Sequence, residues 1–201
     1  MLLIKINGTE SKLNIEGVQK ITDLIELVKT VIDPAHIITN FLIDGRELED
    51  QEWTAPLSQF ENSNIDIETG EPEIYVYSRL ATSPDIISNC YSGFRSARKD
   101  FQDGNMQTAN RKLLTAVNTL REFFSWYGTL IELLDEDKRK KFDITEDVKK
   151  LSDICKGICQ QQLYQSWWAI GETIEKELEP QLDRLENTCR RAAKEVIGQA
   201  A

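Results

Sequence analysis

The stretch MQTANRKLLTAVNTLREFFSWYGTLIELL, residues 106–134, decides how the larger part of this chain folds. Its apolar residues Met106, Ala109, Leu113, Ala116, Leu120, Phe123, Tyr127, Leu130 and Leu134 recur in alternating steps of three and four. That spacing predicts a long helix packed lengthwise against neighbours. Upstream, Ile87, Tyr91, Phe94, Ala97 and Phe101 form a stripe of the same kind, ended by Asp103-Gly104-Asn105. Downstream, the charged run 135–141 reads as a solvated connection, although it is also able to contact the acidic first part of the chain. Thr145 then predicts the cap of a third helix carrying Val148, Leu151, Cys155, Ile158, Trp167, Ile170, Ile174 and Leu178, which Pro180 should kink or end. Leu182, Leu185, Cys189, Ala192 and Val196 supply a fourth stripe. Four amphipathic helices joined by short breaks predict an antiparallel four-helix bundle over residues 83–201.

The period changes before Pro84. Leu2, Ile4 and Ile6 alternate with polar residues, Gly8-Thr9-Glu10-Ser11 reads as a turn, and Leu13 and Ile15 alternate again. Thr22 predicts the cap of a helix bearing Leu24, Ile25, Val28, Val31 and Ile32, with Pro34 beyond its end. Asp44-Gly45 between apolar runs predicts a tight hairpin, Ile65 and Ile67 mark another strand, and Ile74-Tyr75-Val76-Tyr77 reads as strand-like. A small mixed sheet with one helix across it follows, giving an α+β chain. Proline and glycine thicken between Gly70 and Pro84, which places the domain boundary near residue 82. Residues 1–82 hold 15 acids and 6 bases, net −9, whereas residues 83–201 hold 19 and 18, net −1.

The segment Phe41-Leu42-Ile43-Asp44-Gly45-Arg46-Glu47-Leu48-Glu49-Asp50 resembles the apolar-apolar-x-Gly-basic-x-Leu-Glu-Asp stretch of ubiquitin-like domains, and the hairpin, the helix and Leu57-Ser58-Gln59-Phe60 follow in that family's order. The resemblance covers roughly residues 1–70 and implies a β-grasp fold. It does not imply covalent tagging, because the chain contains no Gly-Gly pair. The ubiquitin binding patch is matched only in part: Leu42 is placed for an exposed contact, but Gly8 and Thr9 stand where an aliphatic tip would be. An acidic recognition face is expected instead. Residues 86–125 resemble, more faintly, flagellar secretion chaperone bundles, through Tyr91-Ser92-Gly93, Asp103-Gly104-Asn105-Met106, Ala109, Leu113 and Leu114. Those chaperones bind an exported subunit's tail along helix grooves.

With 34 acids against 24 bases, the formal charge of −10 argues against nucleic acid and membrane surfaces as partners. No stretch reaches a membrane span, and the start lacks a signal-peptide pattern, so a cytoplasmic location is expected. Phosphate-loop, zinc-protease and nucleophile-elbow motifs are absent, and His36, the only histidine, has only Asp33 nearby in sequence. No catalytic residue is assigned, and no cofactor is expected. Cys155 and Cys159, at i and i+4, would need Cys90 and Cys189 to close a zinc site. Reduced, metal-free core cysteines are the preferred reading. Tyr164, Trp167 and Trp168 form a dense aromatic cluster. Adjacent helical residues point about 100° apart, so one indole must lie at a flank. The cluster reads as a partner-binding ledge beside Trp126, or equally as a broad stripe buried between neighbours. A non-enzymatic interaction or adaptor protein with a protein partner is the expected function. A chaperone, an enzyme whose carboxylates or cysteines converge only in the fold, and a homodimer joined through Trp126, Trp167 or Trp168 are the alternatives.

Overall fold

The computed structural model describes residues 2–49 and 51–199, the side chains of 197–199 excepted. The chain is α+β and divides into two compact units, 1–75 and 76–201.

In the first unit the strands β1 (Leu3–Ile6), β2 (Thr9–Glu10), β3 (Ile37–Ile43), β4 (Arg46–Glu47) and β5 (Asn64–Gly70) form a mixed sheet in the order β2-β1-β5-β3-β4. β1 and β5 are parallel and the other pairs antiparallel. Alternation sends Ile4, Phe41, Ile43, Ile65 and Ile67 to one face, where Ile21, Leu24 and Val28 of helix α1 (Ile21–Val31) cover them. Leu57 and Phe60 close the end of this core. Both hairpins turn on two residues with positive φ, Asn7-Gly8 (50° and 75°) and Asp44-Gly45 (51° and 77°), whose twist matches that of the flanking strands. The Asn7 side chain also ties the end of β1 to β5, accepting from Thr69 N–H at 2.8 Å and donating to Thr69 Oγ1 at 2.9 Å.

Four local expectations for this region change. The turn expected over Gly8-Thr9-Glu10-Ser11 is made by Asn7 and Gly8, and Thr9 and Glu10 already pair with β1 as β2. Leu13 and Ile15 lie in irregular chain and pack against the core as part-buried side chains, because β2 ends at Glu10. α1 is capped by Asp23, not Thr22: its carboxylate accepts from the backbone N–H of Lys20 (3.0 Å) and Gln19 (3.3 Å). Ile74 to Tyr77 are helical, within α2 (Pro72–Leu80), because Pro72 opens a helix and Val76 and Leu80 bury on one side of it at a spacing of four. The division at 75/76 therefore falls inside α2, and Thr82, at the expected boundary, is the N-cap of the next helix.

The second unit continues with α3 (Ser83–Gln102), α4 (Met106–Ile131), α5 (Glu136–Lys141), α6 (Thr145–Leu163), α7 (Trp167–Thr173) and α8 (Glu179–Gln199). α3 packs against α4, α7 and α8, and α6 against α7 and α8. Every apolar residue of the 106–134 stripe except Met106 is buried. A Cβ on Gly93 of α3 would meet the Ala116 Cβ of α4 at 3.2 Å, so small residues set the closeness of that helix pair.

The third and fourth stripes connect differently from the sequence expectation. The chain breaks at 164–166, where Gln165 takes φ 54°, and not at Pro180. Proline lacks the N–H that would serve the carbonyl four residues back, and its ring crowds that carbonyl. The helix accommodates both by widening into a π turn over Ile174–Leu178, in which Glu179 N–H reaches the Ile174 carbonyl, and α8 continues through Pro180. The run 135–141 is the short helix α5, with Asp135 accepting from Lys138 N–H at 2.9 Å. α6 is capped by Asp143, which accepts from both the N–H (2.8 Å) and the hydroxyl (2.6 Å) of Thr145.

Candidate functional site

The α6–α7 corner is built by backbone and amide bonds. Ser166 N–H donates to the Gln161 carbonyl at 2.9 Å and Gln165 N–H to that of Gln162 at 3.0 Å, closing the helix end around the left-handed Gln165. The Gln162 side chain donates to Asn110 Oδ1 at 2.7 Å, and Gln161 donates to Thr173 Oγ1 at 2.9 Å. These bonds pin the corner to the start of α4 and to α7.

The two tryptophans that follow point apart, as helical geometry requires. Trp167 turns inward and stacks on Phe101, ring centroids 5.9 Å apart and planes 13° from parallel. Trp168 is 76% exposed, and Leu163 and Tyr164, at the helix end before the turn, are each 82% exposed. A cleft of about 440 Å³ opens here, with Phe101, Met106, Trp167 and Trp168 in its wall and Glu172 and Glu175 on its rim. Glu175 is paired with Arg98 at 2.7 Å and Glu172 with Lys176.

Trp126 belongs to another place. It is half-buried against Phe123 (5.8 Å) and Tyr127 (6.5 Å), twenty residues along α4 from Met106. At 1.5 Å per residue that is about 30 Å from the cleft, so Trp126 is not part of the Tyr164–Trp168 ledge. Leu42 is half-buried on the open face of the sheet, directly opposite Asp66 on β5 and Glu47 on β4. Asn40 faces Glu68 on the same side, and Lys5 lies between Asp66 and Glu10. The open face therefore sets two leucines, Leu3 and Leu42, and Lys5 among the carboxylates Glu10, Glu47, Asp66 and Glu68.

Two features escape the sequence reading. Leu163 lies off the apolar stripe and next to the turn, so only its neighbour Tyr164 hinted at an exposed patch. The other is a buried carboxylate: Glu179 is 6% exposed and lies 3.3 Å from Arg95 Nε, 3.2 Å from Arg98 Nε and 3.4 Å from the Tyr91 hydroxyl. Burial, followed by the negative charges of Asp183 and Glu179, pushes the Tyr91 phenol up. Tyr91 and Glu179 are 88 residues apart, and no local pattern links them.

Burial pushes the thiols of Cys90, Cys155 and Cys189 up to about 11, which leaves them un-ionised and poor nucleophiles near neutrality. Cys159 is exposed. Among the described residues no group of three or more His, Cys, Asp or Glu is placed to hold a metal ion, and no helix is long and apolar enough to cross a membrane. His36 is half-buried in a tight turn, its backbone N–H donating to the Asp33 carbonyl at 2.9 Å. The strongest ionic pairing of the first unit is Arg46 with Glu52, two bonds of 2.6 and 2.7 Å. That guanidinium, with help from Glu49 N–H, holds the Glu52 carboxyl down to about 2.

Compared with protein-family models, curated proteins and solved structures, the chain matches none of them.

Proposed function

We propose that this chain is a non-enzymatic interaction or adaptor protein of the cytoplasm, which holds a protein partner at the α6–α7 corner. The observation that carries the reading is the exposed Trp168 in the wall of a cleft it shares with Trp167, Phe101 and Met106, with Leu163 and Tyr164 exposed at the turn just before it in the chain. Three large apolar side chains in water are a standing cost that a partner's burial removes, and aromatic anchors set in pockets dominate such interfaces. An amphipathic helix or peptide that inserts one apolar residue between Trp167 and Trp168 fits this shape. The first unit we read as a ubiquitin-like β-grasp module and the second as a helical bundle. A mixed sheet with a single helix across it supports the first of these. The face holding Leu42, Glu47, Asp66 and Glu68 would then be a second, acidic docking surface.

A chaperone for an exported subunit is the second reading. It is favoured by a groove of about 420 Å³ between α3 and α4, lined by Gly93, Ser96, Thr115 and Ala116.

The test is capture of a stoichiometric partner, compared between the native chain and Trp168→Ala. Loss of an anchor should weaken that partner about thirtyfold, which is about 2 kcal/mol, while the melting temperature stays unchanged. Undiminished binding by Trp168→Ala and by Tyr164→Ala would overturn the assignment of the corner. Turnover of a generic substrate panel by the chain alone would point to an enzyme.

A further inference from the structure

Bases are outnumbered in this chain, 24 to 34, and several around α5 and α8 are already engaged. Lys138 pairs with Asp135 at 3.1 Å and Lys140 with Glu136 at 3.0 Å, while Arg139 donates to the carbonyls of Glu132 and Leu134, each at 3.2 Å. On α8, Arg190 is bound to Glu186 at 2.5 Å. Three cations among them stand apart. Lys141, Arg191 and Lys194 have no carboxylate partner among the described residues, and all three line one cleft of about 660 Å³. Among the described residues Glu195 is the one acid in its lining, so these side chains carry net charge +2 within a chain of −10.

The cleft is held in shape from behind. The Tyr127 hydroxyl donates to the Phe142 carbonyl at 2.8 Å, which locks the end of α4 to the residue that follows α5. Thr188 donates to the Arg184 carbonyl at 3.0 Å, leaving its oxygen to accept from Arg191 at 3.5 Å and so lean that guanidinium over the hollow. Tyr127, Phe142 and Ala192 supply an apolar floor. Three like charges around one hollow repel one another until an anion enters. Arginine offers a planar fork suited to phosphate oxygens, and lysines add mobile point charges. The volume lies within the roughly 300–1,000 Å³ of small-molecule sites, well beyond what a bare ion fills.

We propose that this cleft binds a small phosphorylated molecule, its phosphate held by Lys141, Arg191 and Lys194 and an apolar or aromatic group laid on Phe142 and Ala192. The site is independent of the α6–α7 corner, since Tyr127 lies 21 residues along α4 from Met106, about 30 Å.

The test titrates the full chain with phenyl phosphate and, separately, with inorganic phosphate, following backbone amide shifts. Phenyl phosphate should bind at least tenfold more tightly, with shifts confined to 141–142 and 188–195. The triple variant Lys141→Gln/Arg191→Gln/Lys194→Gln should lose at least tenfold in affinity, while Lys149→Gln/Lys150→Gln, at exposed lysines of α6, keeps it. Arg191→Lys, which preserves charge and removes only the fork, should fall between the two and serves if the triple variant unfolds. Equal affinity in the triple variant and the native chain would overturn the proposal. So would phenyl phosphate binding no better than inorganic phosphate, or saturation by an acidic peptide that phenyl phosphate fails to displace.

Discussion

In the sheet-bearing unit the strongest ion pair is at the surface, where Arg46 grips Glu52 beside the β3–β4 hairpin, whereas in the helical unit Glu179 and Asp147 are buried between helices. Asp147 accepts from Gln181 at 2.8 Å and faces Arg184 at 3.3 Å, much as Glu179 faces its two arginines. The difference follows from charge and shape. Residues 1–75 contain 15 acids and 5 bases, and a sheet with one covered face can leave its surplus carboxylates on the open face in water. Residues 76–201 contain 19 of each, and helices packed on several sides have fewer wet positions, so some charges are enclosed with their partners. A surface pair contributes little and an enclosed one is costly to break, so the two units should respond to substitution on different scales.

The largest expected effect is a core truncation. Phe94→Ala removes a fully buried ring from α3 and should cost about 3–5 kcal/mol. Urea unfolding followed by amide exchange should show the loss in 76–201 while the protection of α1 and β5 is kept. Equal loss in both units would mean that they unfold as one, and the comparison fails.

Next comes the enclosed carboxylate. Glu179→Gln leaves Arg95 and Arg98 facing a neutral amide, and with Arg95 half in water the cost should be about 2 kcal/mol, read from the urea midpoint. A neutral outcome would show that the buried pair adds no more than a surface one does.

The adjacent indoles sharpen the contrast within the helical unit. Trp167→Ala gives up the stack on Phe101 and should destabilise by about 1–3 kcal/mol, whereas Trp168→Ala should stay within about 0.5 kcal/mol. Equal melting temperatures for the two variants would remove the distinction between inner and outer face.

The smallest effect concerns acid. Glu52 titrates at about 2 in the fold against an ordinary value of 4.5, so its pairing supports the folded state fully above pH 4.5 and is lost as pH falls toward 2. Glu52→Gln should flatten that part of the acid-unfolding curve of the sheet unit and leave the helical unit's curve unchanged. An unaltered curve would show that the pair is fully screened by solvent.

Periodicity made the cores legible. Ile65 and Ile67, or Leu113 and Leu120, disclose their faces because burial repeats with the local geometry of strand or helix. Asp44-Gly45 disclosed its hairpin because the turn is chosen by backbone preferences inside two residues. The same locality explains the misreadings. Ile74-Tyr75-Val76-Tyr77 has β-branched and aromatic residues suited to a strand, and helix won because Pro72 and the burial of Val76 and Leu80 fit one. Of the candidate ledge, the sequence supplied the divergence of Trp167 and Trp168 but not which of them faces water. It also grouped Trp126 with them, since distance along a helix axis counts for nothing in a list of aromatic residues.

What the amino-acid sequence determined by itself was whatever a few neighbouring residues settle: the strand and helix periods, the tight turns, the break at 103–105 and the concentration of acid in the first part. Only the tertiary structure decided that α8 runs on through Pro180 by way of a π turn, that Glu179 is enclosed by Tyr91, Arg95 and Arg98, and that Lys141 shares a cleft with Arg191 and Lys194. These depend on residues tens of positions apart arriving at the same level of packed helices, and burial, charge pairing and cleft shape are properties of that arrangement and not of any local stretch.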